Sequence, residues 1–295
     1  MVAIAAEVLA DDAQRIGISY AGFCVTSLPH KALEDGASWL RKGPPLTLLV
    51  EPGTLVDSNG AIRHLGVPYG ARARMILLYL QTHAVRSRSR EVELGASLNA
   101  WLKRLGFSSG GETRAGMREQ AARIAACRLQ LAWHRETDAG RIAGGFLTGS
   151  LSFARPAPDG QGMLWQERVV LDEAFYAALT HHPVPLQEAA LRALRDRSMS
   201  LDLYVWLAYR LHSLTAPLPI RWAALHGQFG AGYAKLFQFK PRLLEALSAA
   251  LAAYPGARVE VELQGLVLHP SSPPVAAALV LGHRFSPTAP LSGSD

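Results

Sequence analysis

Wound as a helix at about 100° per residue, the stretch beginning at Arg114 brings Arg114, Arg118 and Arg128 within about 80° of one another, beside an apolar stripe of Met117, Ile124 and Leu131. A guanidinium is a planar fork of donors that fits a phosphate or the edge of guanine. A helix that packs on one face and is cationic on the next can lie in a major groove and use both contacts, although the same face also suits a solvated surface helix. Upstream, Arg72, Arg74, Arg86, Arg88 and Arg90 flank another apolar run, and the alternation of Arg86, Arg88 and Arg90 with Ser87 and Ser89 reads as an exposed loop that grips phosphates. Downstream, Lys235, Lys240 and Arg242 gather at the start of a helix, whose positive end adds to their attraction for phosphate. With Arg123 included, the candidate DNA-contacting residues are Arg72, Arg74, Arg88, Arg90, Arg114, Arg118, Arg123, Arg128, Lys235, Lys240 and Arg242.

Signatures of catalysis are missing. No G-x-x-x-x-G-K-[ST] run supplies a phosphate cradle with its lysine, and Gly227, Gly230 and Gly232 have the wrong spacing for one, so ATP hydrolysis is not supported. His181 and His182 are adjacent, point to different sides and precede Pro183, which is poor ligand geometry; no metal and no cofactor are expected. A nicking enzyme with paired His would need His-x-His on a strand, and the chain has none. Trp206 and Tyr209 sit at helical spacing and read as core. Cys24 and Cys127 are too few and too far apart for a disulfide framework or a thiol zinc site. No leader pattern opens the chain and no apolar run reaches the ~20 residues of a membrane helix. The expected setting is the reducing cytoplasm, away from membranes.

Charge is unevenly placed. Residues 63–128 carry twelve Lys or Arg against four Asp or Glu, a surplus of +8, whereas the whole chain of 295 residues totals +6. Residues 187–270 carry nine bases and six acids. The bases are twenty-five Arg and five Lys, a choice that favours forked recognition of phosphate and guanine but also follows from GC-rich coding. A basic field concentrated on one helix-rich unit points to a polyanion partner.

The elements that must position these residues occur twice, in one order: an apolar helix, a short extended stretch, a small helix, a basic helix and a β-hairpin. That order predicts two tandem winged helices in an α+β fold, with an N-terminal arm over 1–62, one domain over 63–165, a second over 166–275 and a flexible tail over 276–295. In the arm, a short helix near 32–40 and a strand over 46–50 are expected. In the first copy, 75–80 is a buried helix, 91–94 a strand, Ser97 a cap for the helix bearing Leu98, Trp101, Leu102 and Leu105, and Gly106 its stop. After Gly110 and Gly111 comes the helix 114–127, then strand residues Leu129, Leu131 and Trp133, a turn at 138–140 and a return through 146–153. In the second copy, Leu203, Leu207, Leu211 and Leu214 form one helical stripe from a Ser200 cap. A strand at 218–220 and a helix at 222–229 stopped by Gly230 follow. Pro241 fits the first turn of a helix reaching residue 254. Val259, Val261 and Leu263 lead to a Gln264-Gly265 turn and a return over 266–268, giving a hairpin whose Glu260 and Glu262 face should point away from a DNA backbone.

These segments resemble the plasmid-encoded RepA family of replication initiators. The resemblance rests on Gly66-Val-Pro-Tyr-Gly70, Arg74-Met-Ile-Leu-Leu-Tyr-Leu-Gln-Thr82, Val92-Glu-Leu-Gly-Ala-Ser-Leu98, Trp101-Leu-Lys-Arg-Leu-Gly106, Gly110-Gly111, Arg118-Glu-Gln120 and Arg123. It continues through His182-Pro-Val-Pro185, the especially specific Ser198-Met-Ser-Leu-Asp-Leu-Tyr-Val-Trp-Leu-Ala-Tyr-Arg210, Gln228-Phe-Gly230, Tyr254-Pro255, Gly265-Leu-Val-Leu268 and Pro270-Ser271. It implies tandem winged helices, binding to repeated double-stranded sites at a plasmid origin, opening of the adjacent duplex, and recruitment of host initiation proteins and helicase. The chain departs from the family where the helix of the second copy carries Phe237, Gln238, Pro241, Leu243 and Leu244 in place of further bases, which leaves open what reads DNA there. The expected function is therefore a non-enzymatic initiator acting as a monomer or homodimer. The alternatives are a winged-helix transcriptional regulator binding an operator as a dimer, and a nicking enzyme.

Overall fold

The structure, a computed structural model, describes residues 1–11, 15–43, 46–56, 59–134, 139–149, 155–156, 163–164 and 168–275. The expected tail over 276–295, the hairpin turn at Asp138 and the return beyond residue 149 as far as 153 lie outside the described residues. Helices and strands mix in two units, one formed by residues 1–27 with 182 onward and the other by 28–181. No helix among the described residues is long and apolar enough to cross a membrane.

In the unit 28–181, helix Gly70–Ser87 is buried without a break from Ala73 to Thr82, which explains why its apolar run shows no polar face. Against it lie helix Gly111–Ala126, strand Glu91–Glu93 and helix Glu173–His181. Ser97 caps helix Leu98–Arg104 as expected, its hydroxyl accepting from the Ala100 amide at 3.2 Å, and Gly106 follows at φ +80°. A four-stranded antiparallel sheet runs in the order Trp39–Gly43, Leu46–Glu51, Arg128–His134, Ala139–Gly144. Its register sets Leu48 opposite Leu131 and Val50 opposite Leu129. All four side chains are buried, so the alternation over 46–50 and 129–131 defines the inward face.

Three expectations for this unit need correction, and its strand pairings bear on them. Residues 32–40 are not a helix: Glu34 to Ala37 form a turn through Gly36 at φ +91°, and Trp39–Gly43 is the edge strand of the sheet. Residues 28–62 are not an arm, because the sheet takes two of its four strands from them. The hairpin after the basic helix pairs with Leu46–Glu51, whereas Glu91–Glu93 pairs with Arg168–Leu171, which also pairs with Leu147–Thr148. The boundary expected at 165 thus falls inside a unit that extends to 181.

In the other unit, strand Ile16–Tyr20 pairs antiparallel with Pro183–Gln187. The strand is buried at every residue, so it shows no alternation, and its partner is remote in sequence; both facts hid it among residues read as an arm. Helix Ser198–Arg210 is buried from Ser200 to Tyr209. It begins two residues before the expected cap, Ser200 being interior, and Trp206 and Tyr209 are core as expected. Strand Leu218–Arg221 and helix Trp222–Phe229 follow. Helix Leu236–Ala253 packs on helix Ser198–Arg210 and buries Phe239, Leu243, Ala246, Leu247 and Ala250. It starts five residues before Pro241, which therefore lies inside the helix and not in its first turn. Strands Arg258–Val261 and Gly265–His269 form the hairpin, and the latter also pairs with Leu218–Arg221 to make a three-stranded sheet. The hairpin turns at Leu263 and Gln264, one residue earlier than expected, closed by mutual backbone bonds between Glu262 and Gly265.

Candidate nucleic-acid interface

The helix Gly111–Ala126 is anchored by Met117, Gln120, Ala121 and Ile124, all buried. Gln120 accepts a hydrogen bond from the Tyr69 amide at 2.8 Å, fixing the helix to the chain that leads into Gly70–Ser87. On either side of this anchor the arginines have different neighbours. Arg114 and Arg118, one turn apart, occupy one flank; Arg118 is exposed and Arg114 half-buried. Among the described residues, neither has a hydrogen-bond or ion-pair partner. On the opposite flank, Arg72 reaches Glu112 at 3.4 Å and passes over Gly116, where a Cβ would stand 2.4 Å from its Nη1. Arg123, with a side chain only 12% exposed, binds Glu119 at 3.0 Å, lies 3.9 Å from Asp35, donates to the Val67 carbonyl and covers the Tyr69 ring.

The predicted cations thus divide by what they face. Arg74 is buried and donates to the carbonyls of Leu28, Pro29 and Gly70 at 2.7, 3.1 and 2.9 Å. Its fork ties residues 28–30 to the start of the long helix, so it is not available to DNA. Arg90 donates to the Leu171 carbonyl at 3.0 Å and reaches Glu173 and Thr148; it joins the small sheet to helix Glu173–His181 and is not the free loop cation expected. Arg128 does not extend the helical cluster, because the helix ends at Ala126. It is the exposed first residue of a strand, opposite Glu51. Arg88 is exposed at the left-handed end of helix Gly70–Ser87, φ +53°. Neither Arg88 nor Arg128 has a hydrogen-bond or ion-pair partner among the described residues.

Sequence reasoning missed a second hairpin beside the arginine helix, Gly53–Val56 paired with Ile62–Leu65. It carries exposed Arg63 and His64. Gly53 packs so closely on the helix end that a Cβ there would lie 1.8 Å from the Ala126 carbonyl oxygen. The signal was present: Asn59-Gly60, with Gly60 at φ +81°, lies between short β-prone stretches, a strong local hairpin signature. In that unit the C-terminal end of the arginine helix is therefore bordered by a hairpin that carries an exposed cation.

In the other unit, Lys235 lies 5.9 Å from the Phe237 ring centroid and Lys240 lies 4.9 Å from that of Trp222. Arg242 is 66% exposed and reaches Glu245 at 3.3 Å. The Trp222 indole donates to the Leu263 carbonyl at 3.0 Å, joining the hairpin turn to the helix preceding this cluster. Glu260 faces His269 at 3.2 Å. Among the described residues no group of three or more His, Cys, Asp or Glu is placed to hold a metal ion. Burial pushes the Cys127 thiol up to about 12 against an opposing backbone hydrogen bond, and pushes Cys24 well above its usual value with help from the Asp202 charge.

The sequence profile of a family described as "Plasmid encoded RepA protein" matches residues 67–222. Two solved structures are similar in fold. One, of domain 2 and domain 3 of RctB, has a TM-score of 0.55 at 14% identity, covering 85% of this chain and 98% of that one. The other, of RctB domains 2-3, has a TM-score of 0.51 at 13% identity, covering 84% and 94%. Among curated proteins none matches the chain.

Proposed function

Because the chain belongs to the family of plasmid-encoded RepA replication initiators, we propose that it binds repeated duplex sites at a plasmid origin, promotes opening of the adjacent DNA and recruits host initiation proteins and helicase. Each unit presents a winged helix in this reading: helix Gly111–Ala126 with its adjoining hairpins in one, helix Leu236–Ala253 with hairpin Arg258–His269 in the other. The observation that carries it is the pair Arg114 and Arg118. Two guanidiniums stand one turn apart on one helix flank, without partners among the described residues, while neighbouring Arg72 and Arg123 are drawn to acidic groups. A charge left unpaired at such a place contributes little to folding and suits a phosphate or a guanine edge. The protein acts by binding and remodelling and catalyses no covalent step.

Footprinting on DNA flanking the protein's own gene tests this reading. Repeated protected sites beside an AT-rich stretch are expected, with about −5 for the slope of log affinity against log salt if some six phosphates are neutralised. The double variant Arg114→Ala, Arg118→Ala should lose at least ten-fold in affinity, and supercoiled origin DNA incubated with the protein and Mg²⁺ should stay supercoiled. A slope near zero or undiminished binding by the double variant overturns the proposal, and relaxed circles would replace it with nicking.

A further inference from the structure

The early start of helix Leu236–Ala253 gives the unit formed by residues 1–27 and 182 onward an outward surface unlike that of the arginine helix. Taking Phe239 and Leu243 as the inward direction and ~100° per residue, Phe237, Gln238 and Pro241 point outward over the first two turns. Lys240 and Arg242 lie on opposite flanks of that outward face. Phe237 is 68% exposed, the only aromatic among the exposed large apolar side chains of the described residues, and Gln238 is exposed beside it. Lys235 stands next to the Phe237 ring, and Lys240 is held over Trp222.

An exposed aromatic ring bracketed by three cations needs an occupant that is anionic at its edges and apolar or neutral at its centre. Duplex DNA entered through the major groove meets that description. Phosphates line both borders of a groove about 12 Å wide, which admits one helix with its side chains. A phenylalanine can offer a groove floor only apolar contact, which the thymine C5 methyl accepts. A glutamine amide pairs in two places with adenine N6 and N7. No arginine occupies the centre of the face, so nothing there selects guanine.

Resting on the DNA-binding reading above, we infer that Phe237 and Gln238 are the base-reading residues of this unit and that they select A·T pairs, Phe237 through a thymine methyl and Gln238 through an adenine edge. Lys235, Lys240 and Arg242 hold the flanking phosphates, Arg242 by exchanging its exposed pair with Glu245, which contributes little. The test is selection by the full-length chain from a duplex library with a randomised centre, repeated with Phe237→Ala, Gln238→Ala and Arg242→Ala. Both central substitutions affect exposed side chains, so the packing on Phe239 and Leu243 is retained.

The wild-type chain should enrich a site with A·T positions whose preference falls roughly ten-fold in Phe237→Ala or Gln238→Ala, with the salt slope unchanged. Arg242→Ala should keep the preferences and flatten the slope by about 1. Replacing the assigned thymine by uracil, which removes only the methyl, should weaken the wild type several-fold and leave Phe237→Ala unaffected. Unaltered preferences in both central variants, or equal loss on uracil substitution with and without the Phe237 ring, overturn the inference while leaving the initiator reading intact. A wild-type chain that enriches no duplex at all removes both.

Discussion

At the scale of residues, the arginines of the helical stretch 70–128 look alike in sequence and differ in what they face. Arg74, 6% exposed, satisfies three backbone carbonyls. Arg74→Ala should therefore cost about 3 kcal/mol of stability, because buried acceptors lose a charged donor, and thermal melting should show it before any change in DNA contact. Arg88 is the only non-glycine among the described residues with positive φ, and its exposed guanidinium has no partner there. A left-handed backbone costs a residue with a Cβ about 1 kcal/mol, and glycine is free of that cost. Arg88→Gly is expected to melt no lower than the wild type yet bind DNA more weakly, with a salt slope flatter by about 1. Unchanged binding would show that Arg88 does not contact phosphate.

At the scale of elements, the reach of Arg114 and Arg118 depends on how the helix Gly111–Ala126 is seated. Met117 and Ile124 seat it from the core, and Gly53 lets a hairpin strand lie directly on its last residue. Gly53→Ala would press a Cβ against the Ala126 backbone, so either the hairpin or the helix end must shift. The expected result is a lower melting temperature together with several-fold weaker DNA binding. Gly111→Ala, where an added Cβ meets open space, is the control and should change neither; equal behaviour of the two variants would sink this account of the join. Most of these elements were legible in the chain. Ser97 as a cap, the buried run around Met75 and the alternation at Leu129 and Leu131 each leave a local signature. The edge strand Trp39–Gly43 did not, because its side chains are only half-buried or exposed, with apolar Leu40 on the exposed face and Arg41 on the half-buried one.

At the scale of the whole molecule, each unit holds one buried thiol, Cys24 in one and Cys127 in the other. Both are held protonated by burial, Cys127 up to about 12. A thiol-specific reagent at neutral pH should therefore leave the native chain unlabelled, and in single-thiol variants each cysteine should become reactive only as its own unit opens. Fast native labelling would contradict this burial. The raised value for Cys127 also gives a sign for pH dependence. The folded state keeps a proton that the unfolded thiol releases near 9, so this contribution is complete below pH 9 and fades as pH rises toward about 12. Melting temperatures should fall over that window, and less steeply in Cys127→Ala.

The chain alone determined the long helices and the hairpins that follow the two basic helices, the concentration of arginine along residues 63–128 and the kinship of residues 67–222, since helix period, caps, turn residues and charge are local properties. Only the tertiary structure decided that Ile16–Tyr20 belongs with Pro183–Gln187, that Leu46–Glu51 carries the hairpin strand Arg128–His134, and which arginines find partners among the described residues. Strand pairing between distant segments and the sharing of a guanidinium among carbonyls or carboxylates are set by which groups folding brings together, and no spacing along the chain encodes that choice.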